Sequence, residues 1–505
     1  MNSSENSKKG IEFKKLKTIC KVLITIAFIS YTQLTISQES NSFTSNGREI
    51  SIADFNKEVN QMINNVGISG LSLAIIEDNK VVFNNFYGNE IASNNKEINN
   101  ETVFEAASLT KMYLVYVVHQ LVHEGKIDLD KPMYQYLVHK DLEHDARYKQ
   151  ITPRMILSHS SGIENWRWNN NKELLEILSK PGEKFVYSGE GFEYLAKVVE
   201  QILNESYQEY VNKRIIKPLK LKNTYLKYEE GKENSLGVEQ PRNYTDGYNI
   251  FGEKVKKWKN FRTIPASGAH TTAEDYGKFL TFFFDENNLP KERIDDLVKP
   301  IVDVGYGKDK LYMGAGYFMI LNEGNKIASF SGNNNGFRSE LFYSIPQKRG
   351  FVFFTNNDNG KLITKALNKL STNFDIDFLF EDSFFEQYPS AALNLQKNYR
   401  KEKNVDKLLL ELEKIKSTGG LTANTLNELG ELFKNKEPEL SVKLFKDNIK
   451  LFPQNPNQYG FLANIYLKDK DYKQAYDYFL KAKELEFNLW NIEQDISYCK
   501  EKIAN

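Results

Sequence analysis

The alternation of apolar and polar residues predicts a chain in two parts. Between about residues 41 and 382, short apolar runs bounded by glycine, asparagine or proline alternate with longer amphipathic segments. After about residue 390 the strand-like runs stop, and lysine, glutamate and leucine recur at helical spacing. We therefore predict an α+β domain over residues 41–382, followed by an all-α domain over residues 390–505.

The first part has strand-like runs near both of its ends. Residues 70–77 and 80–88 are two apolar runs joined by Asp78-Asn79, a dipeptide typical of a hairpin turn. Further apolar runs separated by glycine and asparagine come late in this part, over residues 312–321, 326–330, 340–345 and 350–355. Strands, then helices, then strands indicate an antiparallel sheet with flanking helices and a helical subdomain.

Two helices are predicted between these groups of strands. One begins near Ser108 and ends before Gly125, since glycine commonly follows the last helical residue. The other begins around Ile151, where Thr152 is suited to cap the helix and Pro153 to occupy its first position.

The helical part contains an internal period. Four positions, Ser441, Phe445, Asn448 and Pro453, recur 34 residues later as Ala475, Phe479, Ala482 and Phe487. Small residues recur where two helices approach closely, and aromatic residues recur where they interlock. This pattern resembles the tetratricopeptide repeat, which would bind a protein partner. A generic pair of helical hairpins is the alternative interpretation.

Charge and composition exclude some classes of function. Lysine plus arginine and aspartate plus glutamate both number 67, so the net charge is zero. A nucleic-acid-binding protein usually shows a basic excess, so we expect no nucleic-acid partner. The six histidines do not form a zinc-ligand pattern, and no metal site is predicted. The sequence gives no indication of the oligomeric state.

The N-terminus predicts export. Six lysines between positions 8 and 21 precede the short apolar run Val22–Ile29. A basic segment followed by a short apolar core is typical of a signal peptide, which we assign to residues 1–37. The run is shorter than the roughly 20 residues that span a bilayer. We therefore expect a periplasmic or extracellular protein. The alternative is an uncleaved N-terminal anchor, which would also place the folded part outside the cytoplasm.

The segment Ser108-Leu-Thr-Lys111 is the strongest indication of chemistry. Residues three apart lie on one face of a helix, so the lysine amine can reach the serine hydroxyl. A serine hydroxyl is a weak nucleophile at neutral pH and needs an adjacent base. A serine at the start of a helix also has a free backbone N–H, which can bind an oxyanion. Ser-x-x-Lys is therefore a plausible acyl-transfer nucleophile, although so short a pattern also occurs by chance.

Other motifs follow Ser108 in a meaningful order. They are Ile151–Ile163, Pro181-Gly-Glu-Lys-Phe-Val-Tyr187-Ser188, the segment Pro265–Asp275, and Phe330-Ser-Gly-Asn-Asn-Asn-Gly-Phe-Arg-Ser339. Together with Ser-x-x-Lys, these motifs resemble the serine β-lactamase-like family over about residues 50–380. That family includes class C β-lactamases, D-alanyl-D-alanine carboxypeptidases and related esterases and amidases.

The resemblance implies a role for each matching position. Ser108 would be the acylating nucleophile, Lys111 its activating amine, and Tyr187 the group that relays a proton to the leaving group. The backbone N–H groups of Ser108 and Asn333 would form the oxyanion hole. Substrate contacts would come from four further residues, Ser188, Ser331, Gly332 and Arg338. This chemistry requires no cofactor.

Two positions depart from the family's pattern. The usual Tyr-x-Asn is Tyr187-Ser-Gly189 here, and the usual Lys or His of the third motif is Phe330. Losing a charge-assisted hydrogen bond costs roughly 1.5–3 kcal/mol, or about 10- to 150-fold in rate if it acts at the transition state. We therefore expect ester or amide hydrolysis through a Ser108 acyl-enzyme more than efficient β-lactam hydrolysis.

Two alternatives to an efficient enzyme stay open. One is a catalytically weak or inactive penicillin-binding-like protein that binds peptides or partner proteins through the cleft and the helical repeats. The other makes the repeats the primary module and the large domain a localising platform.

Overall fold

The computed structural model describes residues 41–88, 99–167, 173–230, 232–233, 239–240, 243–305, 310–322, 325–381, 386–486 and 492–504. Its strands are β1 (Ser42–Ser45), β2 (Arg48–Ser51), β3 (Leu71–Glu77), β4 (Lys80–Tyr87), β5 (Phe104–Glu105), β6 (Lys232–Glu233), β7 (Glu239–Gln240), β8 (His270–Thr271), β9 (Val302–Asp303), β10 (Leu311–Met313), β11 (Phe318–Asn322), β12 (Asn325–Asn334), β13 (Phe337–Ser344) and β14 (Arg349–Thr355). Its α-helices are α1 (Ile52–Val66), α2 (Lys111–His123), α3 (Pro153–Leu157), α4 (Gly189–Leu203), α5 (Tyr207–Val211), α6 (Ala273–Phe283), α7 (Lys291–Leu297), α8 (Thr364–Leu370), α9 (Ala391–Glu402), α10 (Val405–Ser417), α11 (Ala423–Phe433), α12 (Pro438–Leu451), α13 (Asn457–Lys468), α14 (Tyr472–Glu484) and α15 (Ile492–Ala504).

An eight-stranded antiparallel sheet forms the centre of the first domain. Its strand order is β4-β3-β14-β13-β12-β11-β10-β9, so the two predicted groups of strands meet where β3 pairs with β14. Side chains of a strand alternate between the two faces of the sheet. In β3, Ala74 and Ile76 pack with α2, α4 and α6, whereas Leu73 and Ile75 pack with α1 and α8. The α+β architecture predicted from the sequence is confirmed.

Two hairpin turns lie at the polar residues between the predicted strands. Asp78 and Asn79 have φ values of 49° and 55°, the left-handed conformation that a two-residue hairpin turn requires. The strands around Gly336 are longer than predicted, because β12 continues to Asn334 and β13 begins at Phe337. The turn is therefore only Asn335-Gly336, and Gly336 supplies the positive φ of 79°.

The helix predicted from Ser108 begins three residues later. Residues Ala107–Thr110 form a 3₁₀ turn, and α2 begins at Lys111. The serine is thus on a tight turn that leads into the helix. The helix predicted at Ile151 has the expected start, with the Thr152 hydroxyl accepting the N–H of Met155 at 3.3 Å in front of Pro153.

The C-terminal part is all-helical, and α9 joins it to the first domain. Leu393 lies in the core on the α1 side of the sheet, while Leu395 and Tyr399 lie in the core of the C-terminal helices. Arg400 donates to the carbonyl oxygen of Val66, the last residue of α1, at 2.6 Å. The predicted boundary at residue 390 therefore falls before a helix that belongs to both hydrophobic cores.

Close packing between α11 and α12 involves the small residues of the predicted repeat. A Cβ at Gly430 would lie 2.5 Å from the Phe445 ring, and the Ser441 hydroxyl donates to the Gly430 carbonyl at 2.7 Å. The tetratricopeptide interpretation remains a prediction. The predicted signal peptide and the repeat position Phe487 lie outside the described residues. Within the described chain, none of the helices has the length and apolarity that crossing a membrane requires.

Candidate active site

Ser108 is presented to solvent by a buried turn. From Thr102 to His119 every residue is buried except Ser108, which is partly exposed. The preceding Ala107 has a φ of 48°, which an alanine adopts at a cost of roughly 1–3 kcal/mol. This strained backbone turns the serine out of an otherwise closed segment, where its hydroxyl is open to a substrate.

Lys111 lies one turn after Ser108 and is fully buried. Its Nζ is 3.3 Å from the Ser108 Oγ and donates to the carbonyl oxygen of Ala266 at 2.7 Å. It also lies 5.0 Å from the ring centroid of Tyr187, within cation–π distance. The predicted pairing of the serine and the amine is therefore present in the structure.

Tyr187 completes the group around the nucleophile. Its hydroxyl donates to the Ser108 Oγ at 2.8 Å. The His159 ring stacks on Tyr187 with centroids 4.2 Å apart, and its Nδ1 accepts the N–H of Ser188 at 3.1 Å. Burial and the charge of Lys111 hold the pKa of His159 well below its ordinary value. The imidazole is therefore neutral, and it positions the tyrosine.

The strand β12 forms the opposite wall and passes close to the nucleophile turn. A Cβ at Gly332 would lie 2.6 Å from the carbonyl oxygen of Ala106. The Ser339 hydroxyl of the paired strand donates to that same oxygen at 2.9 Å. Gly332 therefore allows close packing against the nucleophile turn, and its predicted contact with a substrate stays a prediction. Asn333 follows it, exposed, and lines the cleft with Ser108.

The absence of an asparagine at position 189 has a steric cause. A Cβ at Gly189 would lie 2.2 Å from the indole ring of Trp166, so the indole occupies the space of a side chain there. The neighbouring Asn165 accepts the Gly189 N–H with its Oδ1 at 2.9 Å and lines the cleft beside Ser108. Sequence reasoning missed both residues, because nothing in the sequence connects residues 165–166 with position 189.

The cation missing from the third motif is replaced by a core aromatic residue. Phe330 is 1% exposed and packs against Phe318 with ring centroids 5.3 Å apart. Ser331 has the opposite orientation and lines a cavity of about 600 Å³ that also contains Ser108 and Tyr187. The position of the usual cation is therefore apolar in this protein.

Two predicted substrate contacts have other partners. The Ser188 hydroxyl is buried, donates to the Glu164 carbonyl at 2.9 Å, and caps α4 by accepting the Gly191 N–H. Arg338 pairs with Asp358 at 2.7 Å and donates to the Asn334 carbonyl at 2.7 Å, an arrangement that holds the β12–β13 turn. Both side chains are therefore used in hydrogen bonds within the protein, and their predicted contacts with a substrate stay predictions.

Two carboxyl groups that the sequence did not indicate flank the site, of which Glu105 is buried and Glu193 is partly buried. The Glu193 Oε1 accepts the N–H of Ala266, the residue whose carbonyl binds Lys111. Burial raises the pKa of Glu193 to about 7, although the charges of Arg262 and Lys111 oppose the shift. Glu105 accepts from Asn334 at 2.7 Å, and burial raises its pKa to about 7 as well. Burial thus moves the pKa of both carboxyl groups beside the nucleophile towards neutral pH.

The arrangement can carry out acyl transfer. A hydroxyl nucleophile lies within hydrogen-bonding distance of a buried amine and of a phenol, and a strand edge faces them. This is the nucleophile, base and orienting group that covalent catalysis requires. Among the described residues no group of histidine, cysteine, aspartate and glutamate side chains could hold a metal ion.

Comparison with known proteins gives the same fold. The chain is 24% identical over 324 residues to Protein flp of Staphylococcus aureus (strain MW2), a match that covers 60% of this chain and 63% of that protein. The structure of the octameric penicillin-binding protein homologue from Pyrococcus abyssi superposes with a TM-score of 0.53 and 22% identity, covering 63% of this chain and 77% of that one. A D-amino acid amidase from Ochrobactrum anthropi gives a TM-score of 0.50 and 20% identity, covering 65% and 98%.

The family model described as Beta-lactamase matches residues 55–372, which is more than half of the chain and contains Ser108, Lys111, Tyr187 and Asn333. The matched range, residues 55–372, contains the eight-stranded sheet and helices on both of its faces. By this match and by its fold, the chain belongs to the beta-lactamase family of serine hydrolases.

Proposed function

We propose that this protein is a serine hydrolase that cleaves an ester or amide through an acyl-enzyme on Ser108. The observation that carries the proposal is the pair of contacts at the nucleophile, 2.8 Å from the Tyr187 hydroxyl and 3.3 Å from the Lys111 Nζ. A hydroxyl bonded to a phenol and to a buried amine has a path for its proton, which a merely structural serine does not need.

The reaction has two halves. In the first, the Ser108 Oγ attacks the substrate carbonyl while its proton passes to the Tyr187–Lys111 pair, and that pair then protonates the leaving group as the acyl bond breaks. In the second half, water attacks the acyl carbonyl while the same pair takes its proton, and the pair returns that proton to the Ser108 Oγ as the acyl–serine bond breaks. The backbone N–H groups of Ser108 and Asn333 stabilise the oxyanion in both halves, independently of the side chain at position 333.

The walls of the cleft favour a substrate unlike a β-lactam. Phe330 removes the cation that would bind a carboxylate, and Trp166 fills the space of the usual asparagine side chain. Asn165 lines the cleft next to that position and supplies an amide from a different loop. We infer an uncharged or amine-bearing ester or amide substrate rather than an anionic one.

The second candidate is a protein that binds peptides or a partner in this cleft and turns over slowly or not at all. The apolar position 330 and the indole at Gly189 favour it, because both alter the recognition of substrate. In either case we propose export through residues 1–37 and recruitment of a protein partner by the C-terminal helices.

Intact-mass analysis tests the two candidates. The protein and its Ser108→Ala variant are incubated with a fluorophosphonate and, separately, with a penicillin. A mass adduct that requires Ser108 supports the hydrolase, and hydrolysis of p-nitrophenyl acetate that also requires Ser108 completes the case. No adduct with either probe would reject the hydrolase and favour the binding protein.

A further inference from the structure

A cavity of about 740 Å³ lies between the first domain and the C-terminal helices. One wall is the loop around Phe251 and the turn from Asp358 to Leu362. The other wall comes from Gln396 on α9 and from Glu428 and Leu432 on α11. The helical domain therefore contributes side chains to a chamber that the first domain alone would leave open.

Two residues that line the chamber each have a buried oxygen without a partner among the described residues. These are the Oε1 atoms of Gln396 and Glu428, whose residues are 3% and 2% exposed. The second oxygen of Glu428 accepts the N–H of Glu386 at 2.9 Å. An unpaired buried polar group costs roughly 1–3 kcal/mol, so this pair is a place where a ligand that donates hydrogen bonds gains affinity.

The cations that line the chamber already have partners. Arg338 pairs with Asp358, Lys361 with Glu340, Lys434 with Glu431 and Lys436 with Glu253. An anionic ligand would have to compete with these carboxylates. Burial raises the pKa of Glu428 to about 8, which favours the neutral carboxyl at neutral pH. A ligand ammonium would pair with Glu428 and release its proton.

The chamber is next to the nucleophile cleft. Asn333, Lys361 and Leu362 line both the chamber and the cavity that contains Ser108. Asn333 is exposed between them, so a substrate whose carbonyl lies at Ser108 can extend past its side chain.

We propose that this chamber binds a primary amine at the end of the substrate remote from the scissile carbonyl, with Glu428 and Gln396 as its acceptors. The proposal rests on the proposed hydrolase function, and it names the class of substrate for that site. It also gives the C-terminal helices a direct part in substrate selection.

Two series of esters test the proposal on the full chain. One consists of p-nitrophenyl esters of straight-chain ω-amino acids of increasing length, and the other of acetate esters of ω-amino alcohols. Each is compared with its N-acetylated form. We expect kcat/KM to favour the free amine by about tenfold or more once the chain reaches the chamber, since hydrogen bonds to charged groups have that effect.

The isosteric variant Glu428→Gln keeps the shape of the neutral acid but cannot ionise, so it should fold with an unchanged melting temperature. In this variant we expect the preference for the free amine to fall to near unity. The matched control is Glu439→Gln, an exposed glutamate on α12, which should keep the preference. Equal rates for free and acetylated amines at every length in both series would overturn the proposal.

A binding measurement separates this result from failure of the hydrolase proposal. If Ser108 is inactive towards every ester, calorimetry with straight-chain alkylamines still tests the chamber. Binding that releases a proton and is lost in Glu428→Gln would support the amine site in a non-hydrolytic protein. No binding would reject it.

Discussion

The two walls of the nucleophile cleft differ in how closely they follow the family's pattern. One wall, here called the helical wall, contains Ser108, Lys111 and Tyr187. Its Ser108 hydroxyl lies within 3.3 Å of both the Lys111 amine and the Tyr187 hydroxyl, as the motifs imply. The wall formed by β12 has a buried Phe330 where the family has a cation. Proton transfer requires hydrogen-bonding distances among a few groups, whereas substrate recognition depends on the shape of the whole cleft. The contacts that proton transfer requires are therefore present in this protein, whereas the wall that would recognise the substrate is altered.

The largest effect is expected at the helical wall. Tyr187→Phe removes the hydroxyl that bonds to Ser108 but keeps the ring that stacks on His159. General acid–base groups contribute about 10²- to 10⁴-fold, so we expect kcat for p-nitrophenyl acetate to fall by that factor. The melting temperature should barely change, and Tyr194→Phe is the matched control because that hydroxyl bonds to the Leu137 carbonyl. An unchanged kcat would show that Tyr187 does not relay the proton.

The next effect tests the strand wall. Phe330→Lys restores a cation at the third motif, but its ammonium would enter a core in which Phe330 is 1% exposed. An uncompensated buried charge costs roughly 3–5 kcal/mol, and we expect chemical denaturation to show a loss of that size. Phe330→Leu, which keeps the position apolar, should lose much less. A stable Phe330→Lys variant with increased penicillin labelling would mean that the wall tolerates the family's pattern.

The origin of Gly189 is tested by a pair of variants. Gly189→Asn forces a side chain against the Trp166 indole, and overpacking of this kind costs roughly 1–3 kcal/mol. Trp166→Ala should relieve the clash, so the double variant should be more stable than Gly189→Asn alone in a denaturation cycle. If the two changes add without coupling, the indole is not what excludes an asparagine at position 189.

The sequence was sufficient for the parts of the site that depend on local spacing. Ser108 and Lys111 are three residues apart, and the turn and helix place them together; Thr152 capped its helix as predicted. The sequence did not indicate the partners of Ser188 and Arg338 within the protein, because Glu164 and Asp358 lie on other segments of the chain. Periodicity predicts which face of an element is buried, but not which distant residue lies against it.

Glu193 is another residue near the site that periodicity did not predict. Its ionisation can distinguish two roles of Lys111, as an ammonium or as a free amine. Burial raises the pKa of its carboxyl to about 7, so lower pH favours the neutral form and higher pH favours the charged form. The charged form favours the ammonium of Lys111, which already donates to Ser108 and to the Ala266 carbonyl. If the ammonium assists by stabilising the Tyr187 phenolate, activity rises as pH increases through about 7. If the free amine of Lys111 is the base, activity falls over the same range.

We expect the rising profile, because an ammonium beside the Tyr187 ring would stabilise negative charge that develops on the tyrosine oxygen. In Glu193→Gln, the rise of kcat/KM with pH near pH 7 should become smaller. At pH 8 we expect kcat/KM to fall by several-fold, which corresponds to about 1 kcal/mol of transition-state stabilisation. The readout is the pH dependence of p-nitrophenyl acetate hydrolysis, with Glu200→Gln, farther along α4, as the control. Glu105, the other carboxyl with a pKa of about 7, stays in both proteins. A limb that persists in Glu193→Gln would therefore assign the titration to Glu105 and leave Lys111 independent of Glu193.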